Sequence, residues 1–238
     1  MRMETAGRLP GTDFKKSFVA LYGVVRAKRG ELAALAVFGF LMVKDFLAAF
    51  KYAQTMVTTS FLGLVVLFNG LLVAGYFTML VGIYLTRSSA TVTTGSLTAK
   101  VVALVATFLP FTFPLLSDPG ASGVIVLMIS SLTLLGGMIF TVVALGTLGR
   151  SFSLIPQTRK LVLSGPYRLV RHPVYVGELL GALGLVVWAA SIPKTVVFLV
   201  LVGCEVYRAL EEEMLLRQVF PEYSEYASHT ARFIPGLF

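Results

Sequence analysis

The sequence is short of charge and has a single cysteine. Asp, Glu, Lys and Arg make up only 13% of its 238 residues, against 56% hydrophobic; soluble domains usually hold roughly 45–50% apolar residues. No charged residue falls between Lys51 and Arg87, between Lys100 and Asp118, or between Asp118 and Arg150. Such gaps exclude an ordinary soluble domain, because a membrane-spanning helix needs about 20 apolar residues. The one cysteine, Cys204, excludes an internal disulfide. No Gly-x-Gly-x-x-Gly follows a strand pattern, which excludes the soluble type of nucleotide-cofactor fold. The basic N-terminus lacks an apolar core with a small-residue cleavage site, so no removable signal peptide is expected. No internal repeat is evident.

What is present reads as an all-α integral membrane protein with about six transmembrane helices and a cytosolic C-terminal region. Residues 1–147 hold a basic N-terminal segment and the first four spans; residues 148–238 hold a polar loop, an apolar hairpin and a charged tail. Phe14, Phe18, Leu21, Tyr22 and Val25 recur at helical spacing among cations, the pattern of an amphipathic helix on the inner leaflet. The spans fall near 31–50, 60–85, 101–117, 122–147, 173–191 and 194–210. Lys44 and Asp45 interrupt the first, and should face other helices or an interface, because a charge at mid-bilayer costs about 2.5–3.5 kcal/mol. Asn69 and the glycines Gly63, Gly70, Gly75 and Gly82 in the second suggest close helix packing. Residues 86–100 read as an ordinary exposed connection, and Ser117-Asp118-Pro119-Gly120 as a strong turn. The first arm of the hairpin is short for a span, so it is expected to be tilted or partly embedded.

With the N-terminus inside, segments 1–30, 86–100, 148–172 and 205–238 carry seven, two, five and three of the twenty cations. This asymmetry predicts a multi-pass protein with both termini cytoplasmic, in the inner membrane if the source is bacterial. The net charge of +8 then reflects cytoplasmic loops and anionic membrane lipids rather than nucleic acid.

One stretch concentrates the polar chemistry: Ser164-Gly165-Pro166-Tyr167-Arg168-Leu169-Val170-Arg171-His172-Pro173-Val174-Tyr175-Val176-Gly177-Glu178. Ser164-Gly165-Pro166 is turn chemistry. Pro173 suits the first position of a helix, where its missing N–H costs nothing. His172 then sits at a helix start, a natural anion site. Arg171, Tyr175 and Glu178 fall at helical spacing on one side of the helix that follows. A second cluster lies in the tail, where Glu205, Arg208 and Glu212 share a helix face within Glu205-Val206-Tyr207-Arg208-Ala209-Leu210-Glu211-Glu212-Glu213. A lone run of this kind reads as a solvated helix face; its place on the same side of the membrane as the first cluster argues for more.

Gly165-Pro166-Tyr167-Arg168-Leu169-Val170-Arg171-His172-Pro173-Val174-Tyr175-Val176-Gly177, with Glu212-Glu213, Leu216, Phe220, Tyr223, Tyr226 and Arg232-Phe233-Ile234-Pro235, resembles the isoprenylcysteine carboxyl methyltransferase family, which is related to the membrane phospholipid N-methyltransferases. The resemblance covers roughly 148–238. It implies a methyltransferase that uses S-adenosylmethionine without a Rossmann domain. The cofactor would lie between the Arg-His-Pro loop and the C-terminal helix, and a tunnel from the lipid would admit an apolar or lipid-anchored substrate.

On that resemblance, Arg171, His172 and Tyr175 hold the cofactor carboxylate, with Gly165 and Tyr167 in the same loop. Glu212 or Glu213 pairs the ammonium or the ribose, and Leu161, Val162 and Leu163 wall the adenine. Arg232 orients an acidic acceptor group; for an amine acceptor, Glu178 or His172 takes the proton. No metal is expected. A phospholipid N-methyltransferase is the nearest alternative. A nicotinamide-dependent sterol reductase is disfavoured because the loop lacks the Trp-rich form of the motif. A non-enzymatic transporter or scaffold is disfavoured because the intramembrane charges form no path across the bilayer.

Overall fold

A computed structural model describes residues 29–55, 61–86, 90–116, 123–188 and 190–236. The expected amphipathic segment around Phe14–Val25 and the Ser117–Gly120 turn lie outside these residues, as do the side chains of Asp45 and Asn69. The helices are α1 (Arg29–Thr55), α2 (Phe61–Thr86), α3 (Leu97–Phe108), α4 (Val124–Leu148), α5 (Pro173–Trp188), α6 (Ile192–Val219) and α7 (Tyr223–His229). A 3-10 stretch, Leu109–Leu116, prolongs α3. The chain is thus mostly helical. By length and composition one helical run among the described residues, Val124–Ser151, can cross a membrane; the remaining apolar helical stretches are shorter.

Each boundary has a local cause. The Ser96 side chain accepts from the Ala99 N–H and starts α3; Ser191 does the same for Lys194 at the start of α6. Pro173 opens α5, as the sequence requires, and the His172 carbonyl accepts the first helical bond from Val176 N–H at 3.1 Å. Beyond the apolar part of α6 the helix continues unbroken to Val219, because Glu, Leu, Met and Arg are all good helix formers.

Helices α4 and α5 pack most closely. Their contact is backbone on backbone. A Cβ on Gly177 would lie 2.2 Å from Thr141 Oγ1 and 2.8 Å from the Gly137 carbonyl; one on Gly184 would lie 2.7 Å from Leu134 N. Ser130 Oγ closes the seam by donating to the Gly184 carbonyl at 2.7 Å. The glycine of the Arg-His-Pro-x-Tyr-x-Gly motif is therefore a packing residue. The expectation for α2 fails at Gly75 and Gly82, where an added Cβ meets nothing within 4 Å. The close approach belongs to the helix pair that carries the motif.

Aromatic packing fills the space between α1, α2 and α4, with Phe38, Phe77, Tyr84, Leu145 and Phe152 at its centre. A second cluster joins α3, α5 and α6 through Ala106, Phe113, Ala182 and Leu201. Within the expected connection at 86–100, the described residues from 90 onward do more than link two helices. Val92–Thr93 (β1) pairs antiparallel with Gln157–Thr158 (β2), and Thr94 is buried. Two loops on the same side of the helices satisfy each other's backbone, which neither can do alone.

Candidate active site

The site is built where three segments converge: the loop 149–172, the charged half of α6 and the C-terminal tail. Gly165, at φ +60, opens a short 3-10 turn, Gly165–Arg168, and turns the loop back under α4; a Cβ there would press on Thr147 at 3.1 Å. Arg171 N–H donates to the Ala231 carbonyl at 2.8 Å, and His172 N–H to the Arg232 carbonyl at 3.2 Å. The tail thus runs beside the motif. Tyr226 Oη reaches the Tyr167 carbonyl at 2.5 Å and fastens α7 to the same loop.

At the centre of this junction stands Glu213, with no exposure. Arg232 grips both of its oxygens, with Nε at 2.8 Å from Oε1 and Nη2 at 3.1 Å from Oε2. Arg171 and Arg217 reach Oε2, each at 3.2 Å, and His172 Nε2 lies 3.3 Å from Oε1. Burial works to raise the Glu213 carboxyl, but hydrogen bonds from His172 and Arg232 and the neighbouring charges hold it well below the usual carboxylate range. The same bond with Glu213 raises the Arg232 guanidinium.

Glu212, one residue earlier, turns the other way. Its side chain keeps 24% exposure, accepts a hydrogen bond from the Tyr175 hydroxyl, and lies 3.7 Å from His172 Nδ1. The His172 ring stacks flat on Tyr175, with centroids 5.4 Å apart. Glu212, His172 and Tyr175 form one side of a cavity with about 770 Å³ of empty space, counting its open mouth. Leu161, Val162, Tyr167 and Arg171 also line it, together with Phe152, Thr158, Leu216, Tyr223 and Tyr226.

Of the residues expected from the sequence to hold a cofactor, Leu161, Val162, Tyr167, Arg171, His172, Tyr175 and Glu212 thus meet in one cavity. Leu163 is 40% exposed, and Leu163, Gly165 and Glu213 stand outside that lining. Arg232 lines neither this cavity nor the apolar one, because its guanidinium is turned onto Glu213. Thr158 and Phe152 carried no signal separable from a loop surface; their positions depend on distant packing. Glu205 and Arg208 are not a solvated face. Arg208 Nη1 lies 3.0 Å from both oxygens of Glu205, both residues are buried, and the guanidinium covers the Tyr175 ring at 4.6 Å.

A second, larger cavity adjoins the first, with about 1330 Å³ of empty space. Its walls are apolar, including Phe77, Leu80, Ala106, Leu185 and Leu201, and Glu178, Arg208 and Tyr76 add polar groups. Phe152 and Tyr175 line both cavities.

The polar cavity suits a cofactor with several hydrogen-bonding groups. Arg171 Nε, Thr158 Oγ1 and Tyr223 Oη are buried there without a hydrogen-bond partner among the described residues. Buried polar atoms of this kind are normally satisfied, and three converging on one cavity fit a polar guest. Glu212 offers a carboxylate, Arg171 and the α5 start favour an anion, and Leu161 and Val162 offer an apolar flank.

Residues 120–223 match the family model described as phospholipid methyltransferase. The chain is 45% identical over 101 residues to the cobalt-zinc-cadmium resistance protein CzcN of Cupriavidus metallidurans, covering 40% of this chain and 46% of that protein. It is 35% identical over 101 residues to the nickel-cobalt-cadmium resistance protein NccN of Alcaligenes xylosoxydans xylosoxydans, covering 40% and 47%. It is 38% identical over 108 residues to a probable protein-S-isoprenylcysteine O-methyltransferase of Oryza sativa subsp. indica, covering 42% and 56%. The chain spans about half the length of the curated relatives it matches. Over this region the chain is similar to the phospholipid methyltransferases and to proteins named as isoprenylcysteine O-methyltransferases.

Proposed function

We propose that the protein is an integral-membrane, S-adenosylmethionine-dependent methyltransferase acting on a lipophilic or lipid-anchored acceptor. The observation that carries this reading is the shared wall at Phe152 and Tyr175. A polar cavity and an apolar cavity meet there, so a charged cofactor and an apolar acceptor have adjacent places. S-adenosylmethionine supplies an activated methyl group on a sulfonium. Glu212 would hold its ammonium or ribose hydroxyls, Arg171 and the α5 start its carboxylate, and Leu161 and Val162 its adenine. The buried, aromatic wall keeps water from the junction, where methyl transfer depends on positioning and exclusion of water.

The names of the relatives divide on the acceptor. The rice protein's name supports a prenylcysteine-type acceptor; the description of the matched family model names a phospholipid, and phospholipid N-methylation is the second reading. Multi-pass insertion is supported by large apolar side chains exposed along several helices, such as Phe40, Phe68, Ile125 and Leu199. The cation asymmetry supports cytosolic termini and a cytosolic polar cavity.

The test is calorimetry of the purified protein in detergent with S-adenosylmethionine and with its demethylated product. Saturable heat and a thermal shift are expected for both. No heat and no shift at millimolar cofactor overturn the methyltransferase reading.

A further inference from the structure

One exposed stripe of α6 ends on a cation that reaches back into the site. Lys194, Glu205 and Arg208 interrupt the apolar sequence of this helix, but all three are buried. The exposed residues Val196, Leu199, Gly203, Leu210, Met214 and Arg217 fall within about 60° of one another, at roughly 100° per residue. That stripe carries no charge before Arg217. From Ile192, exposed at the start of α6, to Met214 the helix rises about 33 Å, close to the roughly 30 Å of a bilayer's hydrocarbon core. Arg217 follows about one turn later, at headgroup depth.

The Arg217 side chain is 45% exposed, and its Nη2 donates to Glu213 Oε2 at 3.2 Å. Among the described residues no other carboxylate comes within 4.0 Å of it; the exposed acids nearest in sequence are Glu222 and Glu225. A guanidinium carries five N–H donors, so most of those on Arg217 are left for another acceptor. Glu213 does not depend on Arg217 alone, since Arg171 and Arg232 bind the same carboxylate. The Arg217 guanidinium also lies 5.7 Å from the centre of the Tyr223 ring, and Tyr223 lines the polar cavity. Arg217 itself lines neither cavity. Spare donors at headgroup depth match a phosphate in charge and in fork geometry.

We propose that Arg217 is a headgroup site for an anionic phospholipid of the leaflet on the polar-cavity side, and that lipid bound there steadies the junction around Glu213. The lipid chains lie along Leu210 and Met214. The phosphate takes the spare donors of Arg217 without displacing Glu213. This lipid is a fixed neighbour and not an acceptor, because Arg217 opens into neither cavity. A headgroup without an ammonium of its own leaves a net charge for the guanidinium to meet, which favours an anionic lipid. The inference rests on the membrane-insertion part of the reading above and not on methyl transfer.

The test uses the protein without cofactor. Retention of phosphatidylglycerol against phosphatidylcholine is read by native mass spectrometry from detergent, and amide hydrogen exchange of residues 220–234 in nanodiscs of phosphatidylcholine alone or mixed with phosphatidylglycerol. The parent is expected to retain the anionic lipid roughly fivefold better, and its tail to exchange about fivefold more slowly in the anionic discs. Arg217→Gln is expected to abolish both differences, and Arg217→Lys, which keeps the charge, to retain the lipid preference. Lys51→Gln, at an exposed cation near the other end of α1, is expected to leave both intact. A residue with only a structural role would change the exchange equally in the two kinds of disc. Equal retention of the two lipids by the parent, or an undiminished preference in Arg217→Gln, overturns the proposal. Slowing of exchange by millimolar inorganic phosphate in phosphatidylcholine discs, to the extent that phosphatidylglycerol gives, also overturns it in favour of a free anion. If Arg217→Gln does not fold, the parent's preference and the phosphate arm decide. A chain that does not enter the discs overturns this inference and the membrane reading together; one that enters them without lipid preference loses this inference alone.

Discussion

Arg232 holds Glu213 by two parallel bonds, Nε to Oε1 at 2.8 Å and Nη2 to Oε2 at 3.1 Å. This fork joins the end of the tail to the last long helix, across the loop that carries Arg171 and His172. Two-point guanidinium–carboxylate pairs fix orientation as well as distance. Glu213 therefore frames the polar cavity, and Glu212 faces into it.

The two glutamates should behave differently when neutralised. Glu213→Gln leaves three arginines around a neutral amide, and breaking a buried ion pair of this kind costs about 3–5 kcal/mol. Thermal unfolding in detergent should show a large loss for Glu213→Gln and little for Glu212→Gln. Cofactor affinity should fall for both, for Glu212→Gln by roughly tenfold or more, and for Glu211→Gln by less than about 1 kcal/mol. A Glu213→Gln variant as stable as the parent would show that the junction does not depend on this carboxylate.

Acid should loosen the same junction. The folded Glu213 carboxyl titrates well below its ordinary value of 4.5. Its stabilising contribution is present above that ordinary value and is lost as pH falls from 4.5 toward the folded value. Melting temperature against pH should therefore drop below about pH 4.5 in the parent, and drop less steeply in Glu213→Gln. Parallel curves for the two proteins would assign the acid sensitivity to other groups.

At the alkaline end, burial pushes the Tyr226 phenol up to about 12. A proton held more tightly in the folded state stabilises it below the unfolded value, near 10, and that stabilisation is lost as pH rises toward 12. Tyr226→Phe removes the bond to the Tyr167 carbonyl and should cost about 1 kcal/mol at neutral pH. Its stability should also fall less than the parent's between pH 10 and 12. Limited proteolysis of the tail, compared between the two proteins, checks whether the loss is local to α7.

Gly177→Ala should break the α4–α5 seam. The added methyl would meet Thr141 and the Gly137 carbonyl at 2.2 and 2.8 Å, and neither helix can yield at a backbone contact. Overpacking of this kind costs about 1–3 kcal/mol or more. Gly203→Ala is the control, because its Cβ meets nothing within 4 Å. Monodispersity and melting temperature of the two variants read the difference; equal behaviour would mean that the helices can separate without loss.

Tyr175→Phe keeps the ring under Arg208 and against His172 but removes the hydroxyl that Glu212 accepts. Cofactor affinity should fall about fivefold, near 1 kcal/mol, with the melting temperature little changed. A large loss of stability with unchanged affinity would place Tyr175 in the core rather than in the site.

What the sequence alone determined is local. Pro173 starts a helix because its fixed φ and missing N–H suit the first helical turn and would break a helix interior. Gly165 turns the chain because it tolerates positive φ. Long uncharged runs become apolar helices, and the joined Arg-His-Pro and Glu-Glu signature marks the loop and helix that build the polar cavity. The tertiary structure decided which partner each charge meets. Adjacent glutamates point about 100° apart on a helix, so one of Glu212 and Glu213 had to face inward, and only the placement of Arg171, Arg217 and Arg232 settled which. Glu205 and Arg208 have the spacing of a solvated pair, yet α4, α5 and the 149–172 loop bury them. Tyr76 reaches Glu178 from 102 positions away, and β1 finds β2 across two intervening α-helices. Periodicity and turn chemistry act over a few residues. Contacts such as these depend on how whole helices pack, and packing is a property of the assembled chain.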